Sequence, residues 1–244
     1  HVFLPTSWDL LHQKHRPAPP RPASRLAGAP HPDHESPDIG RQRDLHPNHL
    51  RGHRDMRIIA GRHRGTKLAE PAGASTRPTA DRVRESLFNI LTGGRFGEAL
   101  LDTHVIDAFA GTGALGLEAL SRGAAHASFI ERDPGALKTL RANIARLGRE
   151  ADAAVISGDA TKIASWRGDA ADLLLADAPY GSGEGLTVVA RLAEVGALAP
   201  GALVVIETEQ RESHDETVLA NAGLALLDDR RYGRARLHFM RYEG

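Results

Sequence analysis

From Met56 onward the hydrophobic pattern alternates between two periods. His104–Ala108, Ala127–Glu131, Ala153–Ile156, Asp172–Asp177 and Ala202–Glu207 are short apolar runs that read as strands. Ala114–Arg122, Pro134–Leu147 and Leu186–Val195 lie between them with helical spacing, the second opened by a proline suited to a first helical turn. Leu173-Leu174-Leu175 lacks alternation, as a strand covered on both faces requires. Leu224–Asp228 and Arg236–Tyr242 read as a closing pair. Upstream, Arg57–Gly61 and Thr66–Leu68 read as two short strands around the basic turn Arg62-His63-Arg64-Gly65. The stretch Arg77–Leu91 reads as a helix with Thr79 as N-cap and Val83, Leu87, Ile90 and Leu91 on one face. The β-α-β alternation predicts an α/β, Rossmann-like fold: a mostly parallel seven-stranded sheet with helices on both faces, plus a small N-terminal hairpin-and-helix appendage.

Composition changes near residue 55. Residues 1–55 hold nine of the 14 prolines and eight of the 13 histidines, with no sustained period. Such a segment cannot bury enough apolar surface to offset its ordering entropy, so it is expected to be disordered. The histidines are irregularly spaced, which argues against a metal site. Because the first methionine is Met56, residues 1–55 are expected to be an upstream extension outside the native protein. Residues 56–98 then form the hairpin and helix, and 99–244 the main domain.

Charge narrows the picture further. Lys and Arg number 31, Asp and Glu 31, so any nucleic-acid site must come from local clustering. There is no cysteine, which excludes disulfides, thiolate metal sites and cysteine nucleophiles. No apolar run suggests a transmembrane helix or a secretory signal, and a cytoplasmic monomer without metal or membrane partner is expected.

The first strand runs into Asp107-Ala108-Phe109-Ala110-Gly111-Thr112-Gly113-Ala114-Leu115-Gly116. Gly111–Gly116 fits the dinucleotide pattern Gly-x-Gly-x-x-Gly. Asp107, four residues before Gly111, argues otherwise: a carboxylate at that turn would repel a pyrophosphate and attract a cation, such as the amino-acid end of S-adenosylmethionine. Glu131 ends the next strand, where it can accept from both ribose hydroxyls. Asp159 follows the third, where it can accept from an adenine amine. Asp107, Phe109, Gly111, Gly113, Glu131, Asp159 and Ala160 are the expected cofactor residues. Each acid alone could merely cap a helix or turn; the series of three is nucleoside-shaped.

The fourth strand ends in Asp177-Ala178-Pro179-Tyr180, which resembles the Asp/Asn-Pro-Pro-Tyr/Phe motif of amino-methyltransferases. An exocyclic amine on a base is a poor nucleophile because its lone pair is delocalised into the ring. Two acceptors aimed at its N–H groups, the Asp177 carboxylate and the Ala178 carbonyl, would favour a tetrahedral nitrogen and stabilise its developing charge. Pro179 restricts Ala178 to extended backbone, and Tyr180 offers a face for a flipped-out base. Alanine replaces the motif's first proline, which costs rigidity and leaves the carbonyl. A plain β-turn with a buried aromatic is the bland alternative.

Together, Arg57–Gly61, Arg77-Pro78-Thr79-x-Asp81-Arg82-Val83-Arg84-Glu85, Asp107–Ala119 and the tetrapeptide resemble the bacterial small-subunit ribosomal RNA guanine-N2 methyltransferases, a class I S-adenosylmethionine-dependent family, over roughly Met56 to Tyr242. The resemblance implies methylation of one guanine N2 in small-subunit rRNA within a partly assembled subunit. Between Met56 and Arg95 there are eight Arg/Lys and three Asp/Glu. Arg62, Arg64, Lys67, Arg77, Arg82 and Arg84 are therefore candidate RNA contacts, though Arg82 and Arg84 can instead pair with Glu85 or Asp81. Alternatives are an amino-methyltransferase for adenine N6 in DNA or RNA, or for protein glutamine, and an RNA-binding protein with impaired turnover. An NAD oxidoreductase lacks an acid-base pair beside the glycine turn.

Overall fold

The computed structural model describes residues 55–70, 78–212 and 215–244. The expectation for the Pro/His-rich segment falls almost wholly outside them, as does Arg77.

Seven strands form one sheet: β1 (His104–Ala108), β2 (His126–Glu131), β3 (Ala153–Ser157), β4 (Ala171–Asp177), β5 (Leu198–Glu209), β6 (Leu224–Tyr232) and β7 (Ala235–Tyr242). Their order is β3-β2-β1-β4-β5-β7-β6. The pairs from β3 through β5 are parallel, and β7 pairs antiparallel with both β5 and β6. The chain moves outward from β1 to β3, then returns to place β4 on the other side of β1. That reversal opens a crevice beyond the C-terminal ends of β1 and β4, where sheets of this kind hold ligands.

Successive side chains of a strand point to opposite faces, and β4 shows the consequence. Leu173 and Leu175 pack into one core with α2 (Ala114–Ser121) and α3 (Pro134–Leu147), whereas Leu174 and Ala176 pack into the other with α4 (Glu184–Glu194) and α5 (Glu216–Asn221). Helix α3 is bounded by local chemistry. Asp133 accepts from the Ala136 N–H at 2.7 Å, Pro134 fills the first turn, and Gly148 closes the end in the left-handed region at φ 62°.

Helix α1 (Pro78–Thr92) buries Val83, Leu87, Phe88 and Leu91 on the α2/α3 side. It begins at Pro78, so Thr79 lies inside its first turn and is not the N-cap expected. Proline is preorganised for that first position, which moves the start one residue earlier.

The expected pair of strands before α1 is a tight hairpin with a single bridge, Arg57 to Lys67. Its backbone bonds are Ile58 N–H to Thr66 O at 3.0 Å, Gly65 N–H to Ile58 O at 2.8 Å and Leu68 N–H to Met56 O at 2.9 Å. Buried polar groups fasten it to the domain. Glu118, fully buried on α2, accepts from the N–H groups of Ile59 at 2.7 Å and Ala60 at 3.0 Å, and from Arg122 at 2.7 Å. Ser121 Oγ donates to Ala60 O at 2.6 Å and accepts from His63 N–H at 3.0 Å. At Gly61, with φ 82°, a Cβ would lie 1.9 Å from the Ser121 carbonyl oxygen, so only glycine permits this approach.

Candidate active site

The glycine turn rises from the end of β1 into α2. Asp107 is 1% exposed and its Oδ2 accepts from the Gly116 N–H at 2.8 Å, satisfying a donor of the first helical turn. Among the described residues its Oδ1 has no hydrogen-bond partner. Burial, with Asp177 and Glu131 nearby, pushes its carboxyl well above the usual range, partly offset by the Gly116 bond. Phe109 adopts φ 64°, a costly conformation for an aromatic residue. Gly116 packs α2 onto β2: a Cβ there would lie 2.4 Å from the Phe129 ring.

Glu131 and Asp159 stand where expected, at the ends of β2 and β3, but both already hold backbone. Glu131 accepts from Gly111 N–H at 2.7 Å through one oxygen, and from Arg132 and Asp133 N–H at 2.8 and 2.7 Å through the other. Asp159 caps a short turn by accepting from the Thr161 N–H at 3.0 Å and hydroxyl at 2.7 Å, bonds that hold its carboxyl below the usual range. Each carboxylate oxygen has two acceptor sites, so both acids keep capacity for a ligand. With Phe109, Ala160, Asp177 and Pro179 they line a cleft of about 270 Å³.

A second cleft, of about 210 Å³, adjoins it and shares Phe109 and Asp177. Its walls include Asp81 and Arg84 of α1, Asp107, Gly111 and Glu207. Asp177 opens onto solvent where the clefts meet, while protein crowds its other sides. That crowding, and the neighbouring Glu207 carboxylate, raise its pKa to about 7.

The sequence motifs do not point to Glu207, which also lines the inner cleft. It ends the apolar run of β5 as Asp177 ends that of β4, and the two are register partners across the sheet. The series of acids at strand ends, extended by one strand, would have found it. Its Oε1 accepts from the Tyr180 hydroxyl at 2.7 Å, and burial raises its carboxyl. Burial, then the bond to Glu207, raises the Tyr180 phenol. The tetrapeptide ends in a turn: the Pro179 carbonyl accepts from Ser182 Oγ at 2.7 Å, and Gly181 N–H donates to Glu212 at 2.9 Å. Ala178 is buried and Tyr180 is 41% exposed at the rim.

Of the basic candidates, Arg62, Arg64 and Lys67 are exposed on the hairpin and Arg82 on α1. Lys67 pairs with Asp55 at 2.5 Å. Arg84 takes the alternative course, pairing with Asp81. It is buried, donates to the Arg57 carbonyl at 2.9 Å and to Asp81 at 3.2 Å, and forms a wall of the inner cleft. The helical period places it beside the apolar stripe of Val83 and Leu87, which turns it inward.

The arrangement suits a cationic, nucleoside-like ligand: two crevices around a positive-φ turn, with Asp107, Asp177 and Glu207 outnumbering Arg84, the one cation that lines the inner cleft among the described residues. A larger groove, of about 810 Å³ and lined by His104, His126, Ser128 and Trp166, lies at the other end of the strands. Among the described residues no cluster could hold a metal ion, and no helix is long and apolar enough to cross a membrane.

Residues 56–241 match the family model described as Conserved hypothetical protein 95. Ribosomal RNA small subunit methyltransferase D of Escherichia coli K12 is 40% identical over 178 residues, 73% of this chain and 86% of that protein. The protein of the same name from Haemophilus influenzae is 32% identical over 182 residues, 73% and 90% of the two chains. The solved structure of Escherichia coli yhhF superposes with a TM-score of 0.66 at 35% identity, covering 77% of this chain and 98% of that one. The match spans most of the residues that build the sheet and both clefts, and the chain belongs to the Conserved hypothetical protein 95 family, as a relative of the small-subunit ribosomal RNA methyltransferases D.

Proposed function

We propose that this protein transfers a methyl group from S-adenosylmethionine to the exocyclic N2 of a guanine in small-subunit ribosomal RNA. The observation that carries the reading is the position of Asp177, shared by both clefts and followed by Ala178-Pro179-Tyr180. The names of the relatives support RNA of the small subunit as the substrate.

The residues fit the cofactor. Asp107 keeps a free carboxylate oxygen toward the inner cleft, suited to an ammonium group, and Glu131 and Asp159 edge the cleft suited to the nucleoside. S-adenosylmethionine, when bound, supplies an electrophilic methyl on a sulfonium. The chain's residues do the rest. Asp177 and the Ala178 carbonyl accept the two N–H bonds of the amine, so its lone pair is directed at the methyl carbon. The sulfonium would yield its methyl to the nitrogen held there and keep the carbon–sulfur electron pair. The proton released from nitrogen goes to Asp177, whose raised pKa suits a base acting near neutrality. Tyr180 stacks on the base, and Arg62, Arg64, Lys67 and Arg82 hold phosphates. Arg84 acts from within the cleft, fixing hairpin and helix at the site; Arg77 completes the basic set.

The test is incubation of the purified protein with radiolabelled S-adenosylmethionine and small ribosomal subunits from cells lacking the endogenous activity, with naked rRNA and DNA in parallel. Label in N2-methylguanosine from the small subunit is the expected result. Label in methyladenosine or in protein would keep the chemistry and discard the substrate. No label, with cofactor binding intact, would leave an RNA-binding protein on an enzyme fold.

A further inference from the structure

Glu207 lies outside the tetrapeptide, yet it touches the tetrapeptide at one end and opposes it at the other. Its Oε1 accepts from the Tyr180 hydroxyl at 2.7 Å. Across the sheet it is the register partner of Asp177, and both line the inner cleft. Two carboxylates in directly opposed positions destabilise a sheet. Tyr180 is 41% exposed, so water could satisfy its hydroxyl, and folding alone gives no reason for an acid there. Resting on the methyl-transfer reading above, we infer that Glu207 is a positioning residue for that reaction: it fixes the Tyr180 ring at the rim and governs the charge carried by Asp177.

The surroundings of Asp177 make Glu207 the natural control. From β1 it is faced by Asp107, from β5 by Glu207 and from α1 by Asp81 and Arg84, with Tyr180 on its own loop. Toward the larger of the two adjoining clefts, of about 270 Å³, stand Glu131, Arg132 and Asp159. Arg84 is engaged by Asp81 and the Arg57 carbonyl, and Asp159 by Thr161. Glu207 is the neighbour whose charge raises Asp177. When the bound sulfonium adds positive charge, both carboxylates ionise more readily, so acceptor strength at Asp177 is coupled to cofactor occupancy. The Tyr180 hydroxyl, bonded to Glu207, ties the base-stacking face to the same event. Tyrosine at the fourth position of the tetrapeptide, where phenylalanine would stack as well, thereby has a use.

Crossed variants separate the two roles. Glu207→Gln keeps an acceptor for Tyr180 and removes the charge. The acid limb of the kcat/KM profile is expected to move to lower pH by roughly one unit, with KM for RNA within about twofold of the parent. Tyr180→Phe removes the hydroxyl and keeps the charge. KM for RNA is expected to rise about five- to tenfold, with the acid limb in place. Glu207→Leu should show both effects. A Glu207→Gln profile that superimposes on the parent's, or a Tyr180→Phe variant with unchanged KM, would overturn the inference. If the parent transfers no methyl to RNA, the methyl-transfer reading falls separately. The charge coupling is then read from thermal unfolding between pH 5.5 and 8.5. Glu207→Gln must flatten the rise in Tm on acidification, and failure to do so would overturn it.

Discussion

The side-chain amide of Asn143 donates to the backbone carbonyl of Thr112 at 3.0 Å, joining α3 to the centre of the glycine turn. The same amide grips Ala69 from both sides, accepting from its N–H at 2.7 Å and donating to its carbonyl at 3.1 Å. One fully buried side chain therefore ties the chain leaving the hairpin to the loop expected to hold the cofactor. Asn143→Ala is expected to lower the unfolding free energy by about 2–4 kcal/mol, because it strands buried backbone groups. It should also weaken cofactor binding. Urea unfolding and calorimetric titration check the two effects, and cofactor affinity equal to the parent's would separate the clasp from the turn.

Gly61 offers a sharper cut between RNA and cofactor. An alanine there meets the Ser121 carbonyl at 1.9 Å and must push the hairpin off α2. Gly61→Ala should weaken RNA binding by about tenfold or more while the cofactor constant changes by less than about threefold. Parallel fluorescence titrations decide this. Equal losses in both would mean that the hairpin supports the whole crevice.

Asp177→Ala should abolish methyl transfer and leave cofactor bound. In the parent protein, kcat/KM should rise with pH through about 7, since Asp177 must be ionised to accept from the amine and its pKa stands at about 7. The limb of kcat should lie lower, because a bound cation favours the carboxylate. A pH-independent rate between 5.5 and 8 would remove Asp177 from the mechanism.

The same group makes a statement about stability. Its folded pKa of about 7 exceeds the ordinary 3.8, so its contribution is fully present below 3.8 and is lost as pH rises to about 7. Asp107 and Glu207, both raised, act in the same direction. The unliganded protein should therefore melt higher at pH 5.5 than at pH 7.5. Asp177→Asn should gain about 2–4 °C at pH 8 for each kcal/mol of repulsion relieved, at the expense of activity. Differential scanning fluorimetry across that range gives the sign directly.

Alanine at Arg62, Arg64 or Arg82 should weaken RNA binding uniformly across sequences. Each variant should reduce the slope of log K against log salt by about 0.7–0.9 per lost phosphate contact. An unchanged slope would mark that arginine as a solvated surface charge.

Most of the fold was legible because its signals are local. Pro134 and the apolar run Leu173–Leu175 bound or fill their elements in sequence as they do in space. Strand β5 was read four residues short at its start because Pro200-Gly201 is turn chemistry. The pairing with β4 jumps from Ala171–Leu198 to Leu173–Leu203, and that irregularity takes up the pair. Helix α5, six residues long, is too short to show a period. The site was legible where acids end strands. It was not where meaning comes from another part of the chain. Glu118 sits in the apolar stretch Leu117-Glu118-Ala119, and only the distant amides of Ile59 and Ala60 explain it. For Glu131 and Asp159 the sequence leaves open whether they cap a turn or face a ligand, and the backbone partners that both hold leave no mark in it.

The place of β7 has a consequence for biosynthesis. It follows every other strand in sequence, yet it lies between β5 and β6 and covers the edge of β5 that carries Val204, Ile206 and Glu207. At synthesis rates of about 5–20 residues per second, that edge waits roughly two to seven seconds for its partner. During this interval the nascent chain presents an open apolar strand of the kind that templates aggregation. A stop codon within β7 should therefore yield insoluble protein in place of a weakened enzyme.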